Sequence, residues 1–272
     1  MTRSSRLLVH IAVALLVTSF VVQPGFAQTS QPPAVPSFKL FIHGGGGVSD
    51  ECDAEFLRLA GGTDATLVVI PTATSDENLP SLERTKEIWA NTGITDIQLF
   101  HTRSREQAND EQFVKVLSEA DAIWISGGSQ QRLADAYADT LVEKALLDAV
   151  HRGAVVGGSS AGAAIQSKVM IARGRDQPEI SNGLDLLPNS ILDQHFLRRS
   201  RINRLIEAIK LHPDRTGIGI DERTSLCVED GKATVVGSSY VVTVRIVDGE
   251  LDIRSFSAGD ELDLADLGLV ER

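Results

Sequence analysis

The chain has 272 residues, 42% of them hydrophobic, and carries 26 Lys and Arg against 37 Asp and Glu, a net charge of −11. That balance argues against nucleic acid or an anionic membrane surface as a partner, because both repel an acidic protein. Only two cysteines are present, Cys52 and Cys227, far apart and without metal-ligand spacing, which excludes a disulfide framework and a structural zinc site. One bridge or two buried thiols remain, and the latter is favoured.

In chain order, Arg3 and Arg6 precede an uncharged run from Leu7 to Val22, and Gly25-Phe26-Ala27 supplies small residues at the positions a signal peptidase reads. Residues 1–27 are therefore expected to be a signal peptide, and the polar, proline-containing stretch 28–36 a flexible mature N-terminus. The protein is expected to be exported, to periplasm or medium, with no stable membrane insertion after processing, since the apolar run is short for a span. Removing the signal segment leaves about 245 residues, enough for one large core, and residues 37–272 are expected to form a single α/β domain.

Apolar runs rich in Val, Ile and Leu read as five strands at Phe38 to His43, Thr66 to Ile70, Ile97 to His101, Ala122 to Ser126 and Ala154 to Gly157. Continuous apolar strands suit a parallel sheet buried on both faces. Between them, Cys52 to Ala60, Leu82 to Asn91, Glu111 to Glu119 and Arg132 to Arg152 carry apolar residues at helical spacing. Repeated βα units predict a doubly wound, mostly parallel sheet with helices on both faces. After Leu211 the pattern changes to short strands separated by turns such as Asp230-Gly231 and Asp248-Gly249, a β-rich C-terminal extension expected to add antiparallel strands to the sheet edge.

In such sheets the loops after the strands build the site. The fifth strand runs into Gly158-Ser159-Ser160-Ala161-Gly162, Gly-x-Ser-x-Gly between a strand and a helical pattern, the setting of a nucleophile elbow. A tight turn with Ser159 or Ser160 as N-cap fits the pentapeptide equally well. An acyl-transfer enzyme also needs two main-chain N–H groups aimed at the oxyanion. Ala161, directly after the serine, is one candidate. Gly128, in the loop Gly127-Gly128-Ser129-Gln130-Gln131 after the neighbouring fourth strand, is the other. The run His43-Gly44-Gly45-Gly46-Gly47 after the first strand is either a tight turn or a ligand loop.

A serine nucleophile needs a base, and the base an orienting carboxylate. Of the histidines beyond the leader, His195 in Asp193-Gln194-His195-Phe196 stands out, because polar groups flank it and Arg198, Arg199, Arg201 and Arg204 follow on an otherwise apolar helix. Downstream, Gly217-Ile218-Gly219-Ile220 ends in two carboxylates, Asp221 and Glu222, which the residues alone barely distinguish.

The elbow Gly158 to Ala163, the loop Gly127 to Gln130, the cluster Asp193 to Phe196 with Arg201 and Arg204, and the run Gly217 to Glu222 together resemble the cyanophycinases. These belong to the serine peptidase group (S51) that includes peptidase E, on a fold related to class I glutamine amidotransferases. The resemblance covers nearly the whole mature chain in order. It implies Ser160 as nucleophile, His195 as base and Glu222 as the carboxylate behind it. A substrate pocket of Gln130, Asp193, Gln194, Arg201 and Arg204 is implied as well, with Asp193 answering a substrate guanidinium. The implied reaction is hydrolysis of cyanophycin, a polyaspartate with arginine on each side chain, to β-Asp-Arg dipeptides, without metal or organic cofactor. A homodimer is compatible with the sequence. Ser129 stands where the resemblance leads one to expect an acidic residue in many relatives, and Arg198-Arg199 makes the segment after His195 more basic.

Two other readings are open. An α/β-hydrolase esterase would use the same elbow with His43 to Gly47 as its glycine loop and His212 as base. A non-enzymatic periplasmic receptor for peptides or amino acids would keep the arginines and glycine loops, but has no need of a serine at the elbow.

Overall fold

The computed structural model describes residues 38–264 and 269; the segments expected to be signal peptide (1–27) and mature terminus (28–36) lie outside the described residues. Strand β1 (Lys39–His43) leads into helix α1 (Asp50–Ala60), which begins earlier than its apolar period. The reason is the Ser49 hydroxyl, which accepts the Cys52 N–H as N-cap, and three acidic residues in the first turn that suit the helix dipole. Then come β2 (Leu67–Ile70), α2 (Leu82–Trp89), β3 (Ile97–Leu99), α3 (Glu111–Glu119) and β4 (Ala122–Ile125).

The single helix expected from Arg132 to Arg152 is two, α4 (Gln130–Tyr137) and α5 (Leu141–Arg152). Asp139 takes a left-handed φ of 56°, and the Thr140 hydroxyl accepts the Val142 N–H to start the second helix. The break uses no glycine or proline, so the periodicity runs across it. Strand β5 (Val155–Ser159) and the single turn α6 (Ala161–Ala164) form the elbow.

The central sheet has the order β14-β11-β10-β1-β5-β4-β2-β3, in which β1, β5, β4, β2 and β3 are parallel, as the βα alternation predicts. On the β1 side β10 (Thr224–Glu229), β11 (Lys232–Gly237) and β14 (Glu261–Asp263) pair antiparallel. Successive residues of β4 face opposite ways: Trp124 joins Phe41, Phe56 and Trp89 under α1 and α2, whereas Ile123 and Ile125 join Leu117, Val142 and Leu146 under α3 and α5. Burying each such aromatic or aliphatic side chain stabilises the fold by about 1.5–3 kcal/mol, which fixes helices on both faces.

The C-terminal region departs from a simple edge extension. Strands β9 (Thr216–Ile220), β12 (Tyr240–Val247) and β13 (Glu250–Ser257) leave the central sheet and join β8 (Ser190–Gln194) in a second sheet, ordered β13-β12-β9-β8, with β8 and β9 parallel. Helix α7 (Ile202–Leu211) packs on it through Leu205, Ala208 and Ile209. A hairpin of β6 (Val169–Arg173) and β7 (Glu179–Asn182) precedes β8. The chain thus places the ends of β1, β4 and β5 next to the ends of β8 and β9.

Candidate active site

Ser160 has φ 54° and ψ −106°, a conformation rarely adopted by an L-residue and the strained point of the elbow. The close approach around it explains the flanking glycines: a Cβ on Gly158 would lie 2.3 Å from the Gly162 carbonyl oxygen, and one on Gly162 would lie 1.9 Å from that of Ile125. The serine is thereby held out from the sheet at the start of α6.

Its hydroxyl oxygen lies 2.9 Å from His195 Nε2, and His195 Nδ1 lies 2.7 Å from Glu222 Oε1. A carboxylate only accepts, so Nδ1 carries the proton and Nε2 is left to accept from the serine hydroxyl. The three residues come from the ends of β5, β8 and β9. One support serves all three segments: the consecutive carbonyls of His43, at the end of β1, and of Gly44 and Gly45, just beyond it, accept the backbone N–H groups of Ser160 (3.0 Å), His195 (2.8 Å) and Arg223, the residue after Glu222 (2.7 Å).

The glycine run after β1 therefore lies behind the base and its carboxylate. A Cβ on Gly45 would sit 2.4 Å from the His195 ring, and one on Gly46 2.6 Å from the Glu222 side chain. His43 is buried, its Nδ1 2.8 Å from the Ser225 hydroxyl and its Nε2 3.1 Å from the Gly47 carbonyl. Burial holds its pKa down at about 4, against the pull of the Gly47 carbonyl. The His195 imidazole is also held below its usual value, first by burial and then by Arg199 and Arg201, while Glu222 works in the opposite sense. His212, which the esterase reading needs as base, caps the far end of α7, and the histidine on Ser160 is His195.

Beside Ser160 opens a cavity of about 410 Å³ whose walls include Gly128, Gln130 and Gln194, with Arg173, Arg199, Arg201 and Arg204 as cations. Gln130 is anchored by its amide, which donates to the Ile171 carbonyl at 3.0 Å. Arg201 is not on the helix as expected: it precedes the first turn of α7, and only Arg204 is within it. One nitrogen of Arg201, Nη1, reaches both the backbone and side-chain oxygens of Gln194 at 2.5 Å. Burial draws the Arg201 pKa down to about 10, so it is still a cation at neutral pH.

Asp193 corrects the expectation that it meets a substrate guanidinium. It is 2% exposed and is not among the residues lining the cavity. Arg204 grips its carboxylate with two bonds, Nε to Oδ2 at 2.7 Å and Nη2 to Oδ1 at 2.5 Å, and Arg201 adds a third at 3.3 Å. Against the four cations of the cavity stand the buried Asp193 and, on Arg173, the exposed Glu179 at 2.8 Å, so the cavity keeps an excess of positive charge and is suited to carboxylate groups. The hairpin residues Ala172, Arg173 and Gly174 complete one wall. Sequence reasoning missed them, because the hairpin's strands are short and half exposed; the charged residues around Gly174 were the available signal. Cys52 and Cys227 are free and buried.

A family model described as peptidase family S51 matches residues 40–236. The chain is 37% identical over 204 residues to a cyanophycinase of Geminocystis herdmanii, covering 72% of this chain and 74% of that protein. It is 36% identical over 198 residues to a cyanophycinase of Synechococcus elongatus, covering 70% of this chain and 61% of that one. Among solved structures, a peptidase from an acI-B1 Actinobacterium has the same fold at a TM-score of 0.64 with 23% identity, over 84% of this chain and 98% of its own.

Proposed function

The chain belongs to peptidase family S51, a family of serine-type peptidases, and on that premise we propose that it hydrolyses cyanophycin to β-Asp-Arg dipeptides through an acyl-enzyme on Ser160. The observation that carries this reading is the continuous relay from Ser160 through His195 to Glu222, opening on a cavity lined by arginines. His195 Nε2 takes the hydroxyl proton as Ser160 Oγ attacks an aspartyl carbonyl of the polymer backbone. The N–H groups of Gly128 and Ala161 hold the oxyanion. The imidazolium, stabilised by Glu222, gives its proton to the leaving amine, and the peptide bond breaks. Water, deprotonated by the same imidazole, then opens the ester.

Arg201, with Arg199 and Arg173 at the cavity wall, meets the carboxylates of the substrate, while Gln130 and Gln194 supply polar contacts. Asp193 acts at one remove by holding Arg204 and Arg201 in place. The reaction belongs outside the cytoplasm in this proposal, on the strength of the signal-like segment ending at Ala27. Incubating the purified mature protein with cyanophycin, α-Asp-X dipeptides and a neutral ester tests the reading. Release of β-Asp-Arg from the polymer is expected, and turnover of the ester alone would overturn it.

A further inference from the structure

The two peptide planes that flank Gly128 are both tied to one short segment, Ala73-Thr74, just beyond β2. The Ser129 N–H donates to the Ala73 carbonyl at 2.9 Å, and the Thr74 hydroxyl donates to the Gly127 carbonyl at 3.5 Å. The second contact has a direction built into it. The Gly127 carbonyl and the Gly128 N–H belong to one trans peptide and point opposite ways, so holding the carbonyl toward Thr74 turns the N–H away from it. The loop also touches the serine: a Cβ on Gly127 would come within 3.5 Å of Ser160 Cβ. Against Ala73 the fit is tighter, since a Cβ on Gly128 would lie 2.2 Å from the Ala73 oxygen.

The segment is itself pinned from behind. Arg132, in α4, donates from Nη1 to the Ala73 carbonyl at 2.9 Å, and Arg103 donates from Nη2 to the Thr74 carbonyl at 2.5 Å while pairing with Asp76. Neither Thr74 nor Arg132 lines the cavity at Ser160.

We propose that Thr74 and Arg132 are positioning residues that set the direction of the Gly128 N–H, and through it the charge the site can hold on the tetrahedral intermediate. This rests on the reading of Ser160 as nucleophile and Gly128 as oxyanion donor. Losing an oxyanion donor outright costs roughly 10²–10³ in turnover, so a misdirected one should cost part of that. Because neither residue lines the cavity, the loss is expected in kcat and not in KM.

The test compares Thr74→Val, which keeps the shape without the donor, with Thr74→Ser, which keeps the donor, and Arg132→Met with Arg132→Lys. Thr74→Val and Arg132→Met should lower kcat about tenfold or more at a KM within about twofold of the parent, and the conservative variants should recover most of it. Affinity for a peptide aldehyde, whose adduct with the serine carries the oxyanion, should fall in parallel with kcat, while affinity for the β-Asp-Arg product stays unchanged. Thermal melts identify any variant that has lost its fold, in which case the other position decides. An unchanged kcat in folded Thr74→Val and Arg132→Met, or equal losses in Thr74→Val and Thr74→Ser, would overturn the proposal. Ser160→Ala, run alongside, separates the two levels: if it keeps its turnover both readings fall, and if it is inactive while the Thr74 and Arg132 variants match the parent only the positioning role falls.

Discussion

Asp221 and Glu222, neighbours at the end of β9, send their carboxylates to different places. Glu222 Oε1 meets His195 Nδ1, whereas Asp221 accepts the Arg198 N–H at 2.9 Å and the Ser239 hydroxyl at 2.7 Å. One carboxylate fixes the tautomer of the imidazole, and the other ties down the loop that delivers it.

Glu222→Gln should therefore keep the fold and cut turnover by about three to four orders of magnitude, because the amide can donate to Nδ1 and hold the wrong tautomer, and the imidazolium loses its countercharge. Asp221→Asn should cost far less turnover and about 1–3 kcal/mol of stability, since a buried acceptor of two bonds is altered. Steady-state kinetics paired with thermal melts separate the two. His212→Ala belongs in the same series and should turn over normally; an inactive His212→Ala beside an active Glu222→Gln would favour the esterase reading.

Ser160→Ala should lower turnover by several orders of magnitude and leave substrate affinity nearly intact, whereas Ser159→Ala should be mild. Binding measured calorimetrically with the inactive variant, beside kcat for both, checks this. Similar behaviour of the two variants would reduce the elbow to a turn.

Activity should have its acid limb below pH 6.5, because the base works neutral and the His195 pKa is lowered, principally by burial. As pH falls through the lowered pKa, Nε2 gains a proton and can no longer accept one from Ser160. In Glu222→Gln the influence that raises the imidazole is gone, so the limb should move to still lower pH. Profiles of kcat/KM against pH for the two proteins read the direction of the move.

Stability should fall on acidification for a separate reason. Between pH 6.5 and about 4 an unfolded chain protonates His43 while the folded one does not, so the unfolded state binds more protons and gains ground as pH falls. The full window is worth about 3 kcal/mol at this one buried site. Chemical denaturation at pH 7 and pH 4.5 measures it, and His43→Gln should flatten the dependence from a lower starting stability.

Arg201 and Arg204 should separate when each is changed to Leu. Arg204 is 4% exposed and bound to Asp193, so its loss leaves a buried carboxylate short of its main partner and should lower stability by about 3–5 kcal/mol. Arg201→Leu should melt closer to the parent and raise KM for the polymer with little effect on a neutral ester. Equal losses on both substrates would make Arg201 structural.

The elbow and the five parallel strands were legible because their signals are local: glycines two residues either side of Ser160, and short apolar runs between helical periods. Asp139 and Thr140 hid the break between α4 and α5, since a left-handed aspartate and a capping threonine leave the hydrophobic period intact. The departure of β9, β12 and β13 into a second sheet with β8 depends on pairings between distant residues, which no local pattern carries. His195 and Glu222 could be paired only through a family resemblance, because nothing at either position encodes a contact 27 residues away. Gly44 to Gly46 were ambiguous for a related reason. A glycine advertises the absence of a side chain, not the imidazole or carboxylate that occupies the space.

The three consecutive carbonyls that begin at the end of β1 make the site sensitive to chain length in a way that its residues do not reveal. Ser160, His195 and the residue after Glu222 are measured off three consecutive peptides, one at the end of β1 and two in the glycine loop after it, so their mutual spacing is inherited from one short run of chain. Inserting one residue after His43 would displace the Gly44 and Gly45 carbonyls along the chain by one residue, about 3.8 Å between consecutive Cα atoms. Every catalytic side chain would remain in the protein, but nucleophile, base and carboxylate would be out of phase. The same insertion at the Asp248-Gly249 turn would pass unnoticed by the chemistry. In descendants of such a chain, length at the end of the first strand should prove less negotiable than the identity of many residues in the cavity.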